Sequence, residues 1–255
     1  MGWEEKTILE VSGLKKYFGE VKAVDGVNFA IKKETITSII GPNGAGKTTL
    51  LNLISGMLKP DAGKVVFMGK NITKMPPYKI AKLGIGRSFQ LVSVYDGLTV
   101  FDNIRIPILS RMGKTKSMVS LLERDVKVKE EANEILELFG LFDKKDVLAG
   151  ELPHGDRKLL DVAIAFALNP KLVLLDEPTS GVGVREKRHV MDVIEKAVRE
   201  KGVTAIIVEH DMDIVFSYSD RIIVMHQGKI LADGSPGEVK ENEEVKTVIL
   251  GGEIL

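Results

Sequence analysis

Residues 35–58 run TITSII straight into GPNGAGKTTLLNLISGML. A short β-branched stretch, a glycine loop and a helix-forming apolar run, in that order, leave few folds open. The loop must leave the end of a strand and open a helix, the unit from which α/β sheets are built. Residues 41–48 match G-x-x-x-x-G-K-[ST] with Gly41, Pro42, Asn43, Gly44, Ala45, Gly46, Lys47 and Thr48; Thr49 follows into the helix. Backbone N–H groups of such a loop converge on a phosphate, and the helix N-terminus adds its positive dipole end. Lys47 is then placed to reach β- and γ-phosphates, and Thr48 to hold Mg²⁺. An ordinary glycine-rich turn is the bland alternative, but it needs neither the strand before nor the helix after. The stretch reads as a nucleotide site.

Such a loop needs a second metal ligand and a group to activate water. LVLLDEP at 172–178 supplies both, an apolar strand delivering Asp176 to the metal with Glu177 beside it. A carboxylate next to the γ-phosphate can orient and polarise water as general base. Pro178 stops the strand and keeps Glu177 at the carboxyl edge, where α/β sites sit. The alternative is a pair of solvated acids ending a strand.

Composition narrows the class. Lys+Arg and Asp+Glu balance at 36 each, against a general nucleic-acid binder. Residues 1–90 nonetheless hold 14 Lys/Arg against 7 Asp/Glu, which suits a phosphate ligand. The longest apolar runs, TAIIV and KLVLL, are strand-sized, far short of the ~20 residues that span a bilayer. MGWEEKTILE has neither a basic start nor an apolar stretch, so no signal peptide is read there. The absence of cysteine excludes disulfides and thiolate metal sites and fits a cytosolic chain.

Along the chain, ILEVSGL and VKAVDGVNFAI read as strands, and GKVVFMGKNIT as a hairpin turning near Gly69. From about 91 to 160 the spacing becomes helical. Thr99 caps one expected helix, Ile135, Leu138 and Phe139 share a face of another, and 113–125 reads as loop or weak helix. Strands at 171–176 and 204–210 then alternate with helices, one spanning about 184–200. RIIVMHQGKILADG reads as a hairpin, and SPGE at 235–238 as a capping box opening a last helix. The expected fold is α/β, with a mostly parallel core sheet, an N-terminal antiparallel β subdomain and a helical insert.

With these motifs in this order, the whole chain resembles the ATP-binding subunit of an ABC transporter. The resemblance implies a single nucleotide-binding domain over 1–255. Within it, 1–90 and 161–255 make the ATP-binding core and about 91–160 a helical subdomain. By the same resemblance RSFQ places Gln90 as the Q-loop glutamine, which touches Mg²⁺ or the attacking water and senses the membrane partner. VEHD places His210 as the switch histidine at the γ-phosphate. KKYFGEVKAV offers an aromatic to stack on adenine, and Phe18, just before Gly19, matches the family position better than Tyr17. The implied metal ligands are Thr48, Gln90 and Asp176, and the implied cofactors ATP and Mg²⁺.

LPHGD, residues 152–156, falls where the family carries LSGGQ. In that family two ATPs are sandwiched between the P-loop of one subunit and this signature loop of the other. Leu152 and Gly155 remain; Pro153 replaces the serine, His154 the first glycine and Asp156 the glutamine. Losing the hydroxyl removes a charge-assisted donor of about 1.5–3 kcal/mol. The N–H groups of His154 and Gly155 remain, at a helix expected to start near Asp156, with Asp156 read as its cap. Gly183 in SGVG stands where the D-loop usually has aspartate.

These departures resemble the ATPase subunits of branched-chain amino acid importers, the first of their two ATPase types above all. Urea and lipopolysaccharide transport ATPases are near relatives. The resemblance implies a second ATPase subunit, membrane permease subunits, a substrate-binding protein reached through them, and a place on the cytoplasmic face of the membrane. It implies no nucleic acid. A soluble ABC ATPase of translation or DNA repair would carry two cassettes or long coiled coils, and this sequence has one P-loop and no heptad run. A non-hydrolysing regulatory module is opposed by Glu177 and His210 occurring together.

Overall fold

β-Branched and aromatic residues are interspersed with polar ones over 7–32, and they form strands. In the computed structural model, which describes residues 6–88, 94–113 and 126–250, β1 (Thr7–Phe18) and β2 (Val21–Lys32) pair antiparallel. Val27, Phe29 and Ile31 are buried while Asn28, Ala30 and Lys32 face out, the period of two that one covered face imposes. The chain divides into two compact units, 1–83 with 203–255, and 84–202.

In the first unit β3 (Ile36–Ile40) is buried at every position and leads into α1 (Lys47–Ile54). β4 (Ala62–Phe67) and β5 (Lys70–Asn71) form the hairpin turning at Met68-Gly69 and complete an antiparallel sheet ordered β2-β1-β4-β5. The short α2 (Pro77–Leu83) closes this part.

The second unit opens with β6 (Ile85–Arg87), three residues too short to show a period in the sequence. Two helices follow, α3 (Val100–Arg111) and α4 (Val126–Leu138). The Thr99 hydroxyl accepts the Asp102 N–H at 3.1 Å, so the expected cap is present. Ile135 and Phe139 are buried, and the Phe139 ring packs edge-on against Phe166 at 5.2 Å. Then come α5 (His154–Ala167), β7 (Leu172–Asp176) and α6 (Val184–Glu200). β6 pairs parallel with β7, from Ile85 opposite Leu172 to Arg87 opposite Leu174. α6 buries Val190, Met191, Ile194, Ala197 and Val198, a stripe at helical spacing.

The chain returns to the first unit with β8 (Thr204–Val208), α7 (Met212–Tyr218), β9 (Arg221–His226) and β10 (Lys229–Gly234). β8 and β9 flank β3 in parallel and β10 runs antiparallel outside β9. α8 (Pro236–Glu241) carries the full capping box of Ser235 and Glu238. Ile40, Val215, Ile222, Val224 and Val239 form its local core. The α/β class, the antiparallel N-terminal sheet, the parallel strands and the helices are as expected. Gln90 and most of 113–125 lie outside the described residues.

Candidate active site

In the first unit β3 delivers the loop 41–48 and α1 departs from it, capped by the backbone of Gly46 at φ 102°. A Cβ on Gly46 would overlap Ala23 O, and one on Gly41 would overlap Met225 O, so the loop is pressed against β2 and the end of β9. The Lys47 side chain folds back over the loop, its Nζ donating to Gly41 O (2.7 Å) and Pro42 O (3.0 Å). Ala45 is buried, whereas Asn43 and Gly44 are exposed. Thr48 and Thr49 open the helix half-buried. The cradle therefore has a cation in place, exposed amides at its crest and a hydroxyl on the first turn, which fits an anionic phosphate.

Strand register brings His210 to the same edge. Ile39 is opposite Val208 in the parallel β3/β8 pair, so Gly41 and His210 both lie two residues past an aligned pair. His210 is exposed, and its N–H donates to Glu209 Oε2 at 3.2 Å. At the β1–β2 end Phe18 is 47% exposed, with Lys16 Nζ 5.4 Å from its ring centre. Tyr17 is engaged elsewhere, its hydroxyl donating to Asp25 Oδ1 (2.6 Å) and its N–H to Asp61 Oδ2 (2.7 Å).

In the second unit β7 ends on Asp176, whose side chain is fully buried, and the chain then turns through Glu177 at φ 52°. A glutamate in the left-handed region costs of order 1–3 kcal/mol, and such strain gathers at functional sites. Pro178 follows, and the Ser180 N–H donates to Glu177 O at 3.1 Å, closing a tight turn. Arg87, at the end of β6, reaches Asp176 Oδ2 with Nη2 at 3.4 Å. Burial pushes the Arg87 guanidinium's pKa down, and the Asp176 carboxylate opposes that. The sequence offered no signal for this pair, whose members are 89 positions apart. Each unit offers an oxygen donor of the kind a hard cation such as Mg²⁺ takes, the Thr48 hydroxyl in the first and the Asp176 carboxylate in the second.

The signature stretch departs from expectation. α5 begins at His154, two residues early, with Pro153 in the cap position and no side-chain cap bond. Asp156 does not cap; it lies in the first turn, and its carboxylate pairs with Lys144. The reason is geometric, since a cap must precede the first turn rather than lie inside it. Leu152 and Gly155 are buried, while Pro153 and His154 are exposed. His154 Nε2 is 3.3 Å from Ser180 O, and Lys158 Nζ donates to Ser180 Oγ at 2.8 Å. The first-turn amides of α5 have no intrahelical acceptors and share their end of the helix with His154. Gly183 directly precedes α6 and takes the cap position there.

Comparison with known proteins gives one consistent answer. The sequence profile of the family described as ABC transporter matches residues 24–180. A probable branched-chain amino acid transport ATP-binding protein, LivG of Archaeoglobus fulgidus, is 38% identical over 248 residues, covering 96% of each chain. The high-affinity branched-chain amino acid transport ATP-binding protein BraF of Pseudomonas aeruginosa is 36% identical over 254 residues, covering 96% of this chain and 98% of that one. Among solved structures, the ADP conformation of MJ1267, an ATP-binding cassette of an ABC transporter, superposes with a TM-score of 0.84 at 34% identity, covering 96% of this chain and 99% of that one. Matched by the family profile over 24–180 and by these relatives along nearly its full length, the chain belongs to the ABC transporter family, as an ATP-binding and ATP-hydrolysing cassette.

Proposed function

We propose that this chain is the ATPase subunit of an importer for branched-chain amino acids, acting at the cytoplasmic face of the membrane. Its partners in that role are a second ATPase subunit, membrane permease subunits and, through them, a substrate-binding protein. The names of two relatives matching 96% of the chain support the cargo. Residues 1–255 act as one cassette, with a helical subdomain at about 91–160.

One observation carries the hydrolytic part. Glu177 is held in a strained backbone directly after a buried aspartate, at the carboxyl end of a buried strand. In the proposed site Gly41 to Thr49 bind the triphosphate, Lys47 meets its β- and γ-oxygens, and Phe18 stacks on adenine. Thr48, Asp176 and Gln90 hold Mg²⁺, which when bound neutralises charge on the phosphates. Glu177 takes the proton of the attacking water as its oxygen bonds to the γ-phosphorus and the bond to the bridging oxygen breaks. His210 orients the γ-phosphate. Leu152 to Asp156 face the partner subunit's ATP, with the His154 and Gly155 amides as donors.

Reconstitution in liposomes with permease subunits and a binding protein tests the assignment. Binding protein loaded with leucine, isoleucine or valine should raise ATP turnover at least about tenfold over the unloaded state. Stimulation only by urea or a lipid cargo would reassign the transporter, and turnover indifferent to every cargo would refute import.

A further inference from the structure

Two hairpins of the first unit turn alike. Met68-Gly69 joins β4 to β5 with φ of 48° and 75°, and Gln227-Gly228 joins β9 to β10 with φ of 47° and 78°. Two successive left-handed residues are the mark of the tight hairpin turn that matches strand twist. Their surroundings differ. A Cβ on Gly69 would meet nothing within 4 Å, whereas one on Gly228 would overlap Lys22 O and stand 3.1 Å from Ala23 O.

The second turn is also bonded on two sides. The Gly228 N–H donates to Ala45 O of the phosphate loop at 3.1 Å, and Gly228 O accepts the Asp25 N–H of β2 at 2.8 Å. The Asp25 side chain accepts from the Tyr17 hydroxyl at 2.6 Å, which holds the Asp25 carboxyl below the ordinary aspartate range. Lys229 Nζ lies 3.8 Å from the same carboxylate. A continuous path thus runs from Ala45 through Gly228 and Asp25 to Tyr17, one residue from Phe18.

We infer that the β9–β10 turn is a brace setting the phosphate loop against the β1–β2 hairpin, with Gly228 as a positioning residue for the triphosphate. β3 and α1 fix the two ends of the loop, and the bond from the Gly228 N–H to Ala45 O anchors its buried part, next to the exposed crest at Asn43 and Gly44. A loop already held in shape loses less freedom on closing around phosphate. The phosphate end and the base end of the nucleotide site then hang on the same turn. The inference rests on the reading of 41–48 as the phosphate site.

Gly228→Ala and Gly69→Ala impose the same left-handed strain and differ in what the new methyl meets. Affinities for ATP and for inorganic tripolyphosphate, measured by calorimetry, separate them. Gly228→Ala should weaken both ligands by at least about tenfold and Gly69→Ala by under about twofold. Equal affinities in the two variants, or lower thermal stability of Gly228→Ala with affinity unmoved, would overturn the brace. Lys47→Ala tests the underlying reading: full tripolyphosphate affinity there would remove the phosphate-site assignment and the brace with it. Loss there, with none in Gly228→Ala, overturns the brace alone. Should Gly228→Ala fail to fold, hydrogen exchange on the unaltered chain decides. Tripolyphosphate should slow exchange in the turn at 226–229 and leave the turn at 68–70 unchanged. No slowing at 226–229, or equal slowing at both turns, would contradict the inference.

Discussion

Glu177 and Arg87 show how differently two residues of one unit can be read. The acid could be picked out from LVLLDEP because a strand ending in two carboxylates and a proline has few structural uses. Its positive φ could not, because backbone strain has no letter in the sequence. Arg87 carries no such signal, since nothing local tells a surface arginine from one buried on an aspartate 89 positions away. Removing one member of a buried ion pair takes a partner from the other buried charge. Arg87→Met should therefore lower unfolding free energy by about 3 kcal/mol, read from urea denaturation. An unchanged midpoint would show that the pair does not stabilise the fold. At Lys47, replacement by alanine should abolish ATP binding measured with a fluorescent analogue, because the cation already at the loop is then gone.

At the scale of elements, the legible features were those written by local rules. Thr99 and Ser235 cap the helices they were expected to cap, and the Met68-Gly69 hairpin turns where glycine allows it. Elements defined by a distant partner were not legible. β6 is a strand because β7 lies beside it, and α5 starts early because nothing in PHGD forbids the first turn. The Ser235 box carries two predictions. Ser235→Ala should cost about 1 kcal/mol of stability in chemical denaturation, since one side chain satisfies an otherwise orphaned amide. The Ser235 N–H, and then its hydroxyl, hold the Glu238 carboxyl below its ordinary value. Because the folded pKa is the lower one, the box stabilises above the unfolded value of about 4.3 and is lost as pH falls through the folded value. The stability difference between the natural chain and Glu238→Gln should thus be present at neutral pH and vanish in that acidic window. A difference that persists at still lower pH would contradict the assignment.

For the whole molecule, no helix among the described residues is long and apolar enough to cross a membrane. The stretch LPHGD keeps a helix N-terminus with its first-turn amides, the groups that the proposed mechanism sets against the partner subunit's ATP. With hydrolysis blocked, ATP should hold two copies together. Glu177→Gln with ATP and Mg²⁺ should move in light scattering from 28.0 kDa to a dimer, and return to monomer when nucleotide is removed. In the proposed mechanism Glu177 is the base of the ATPase. The direct measurement is steady-state phosphate release with saturating Mg-ATP, in the natural chain and in Glu177→Gln, alongside ATP affinity for both. Turnover should fall by at least about 10²-fold in the variant while ATP still binds. Turnover that survives the substitution, or a natural chain that binds ATP and releases no phosphate, would contradict it.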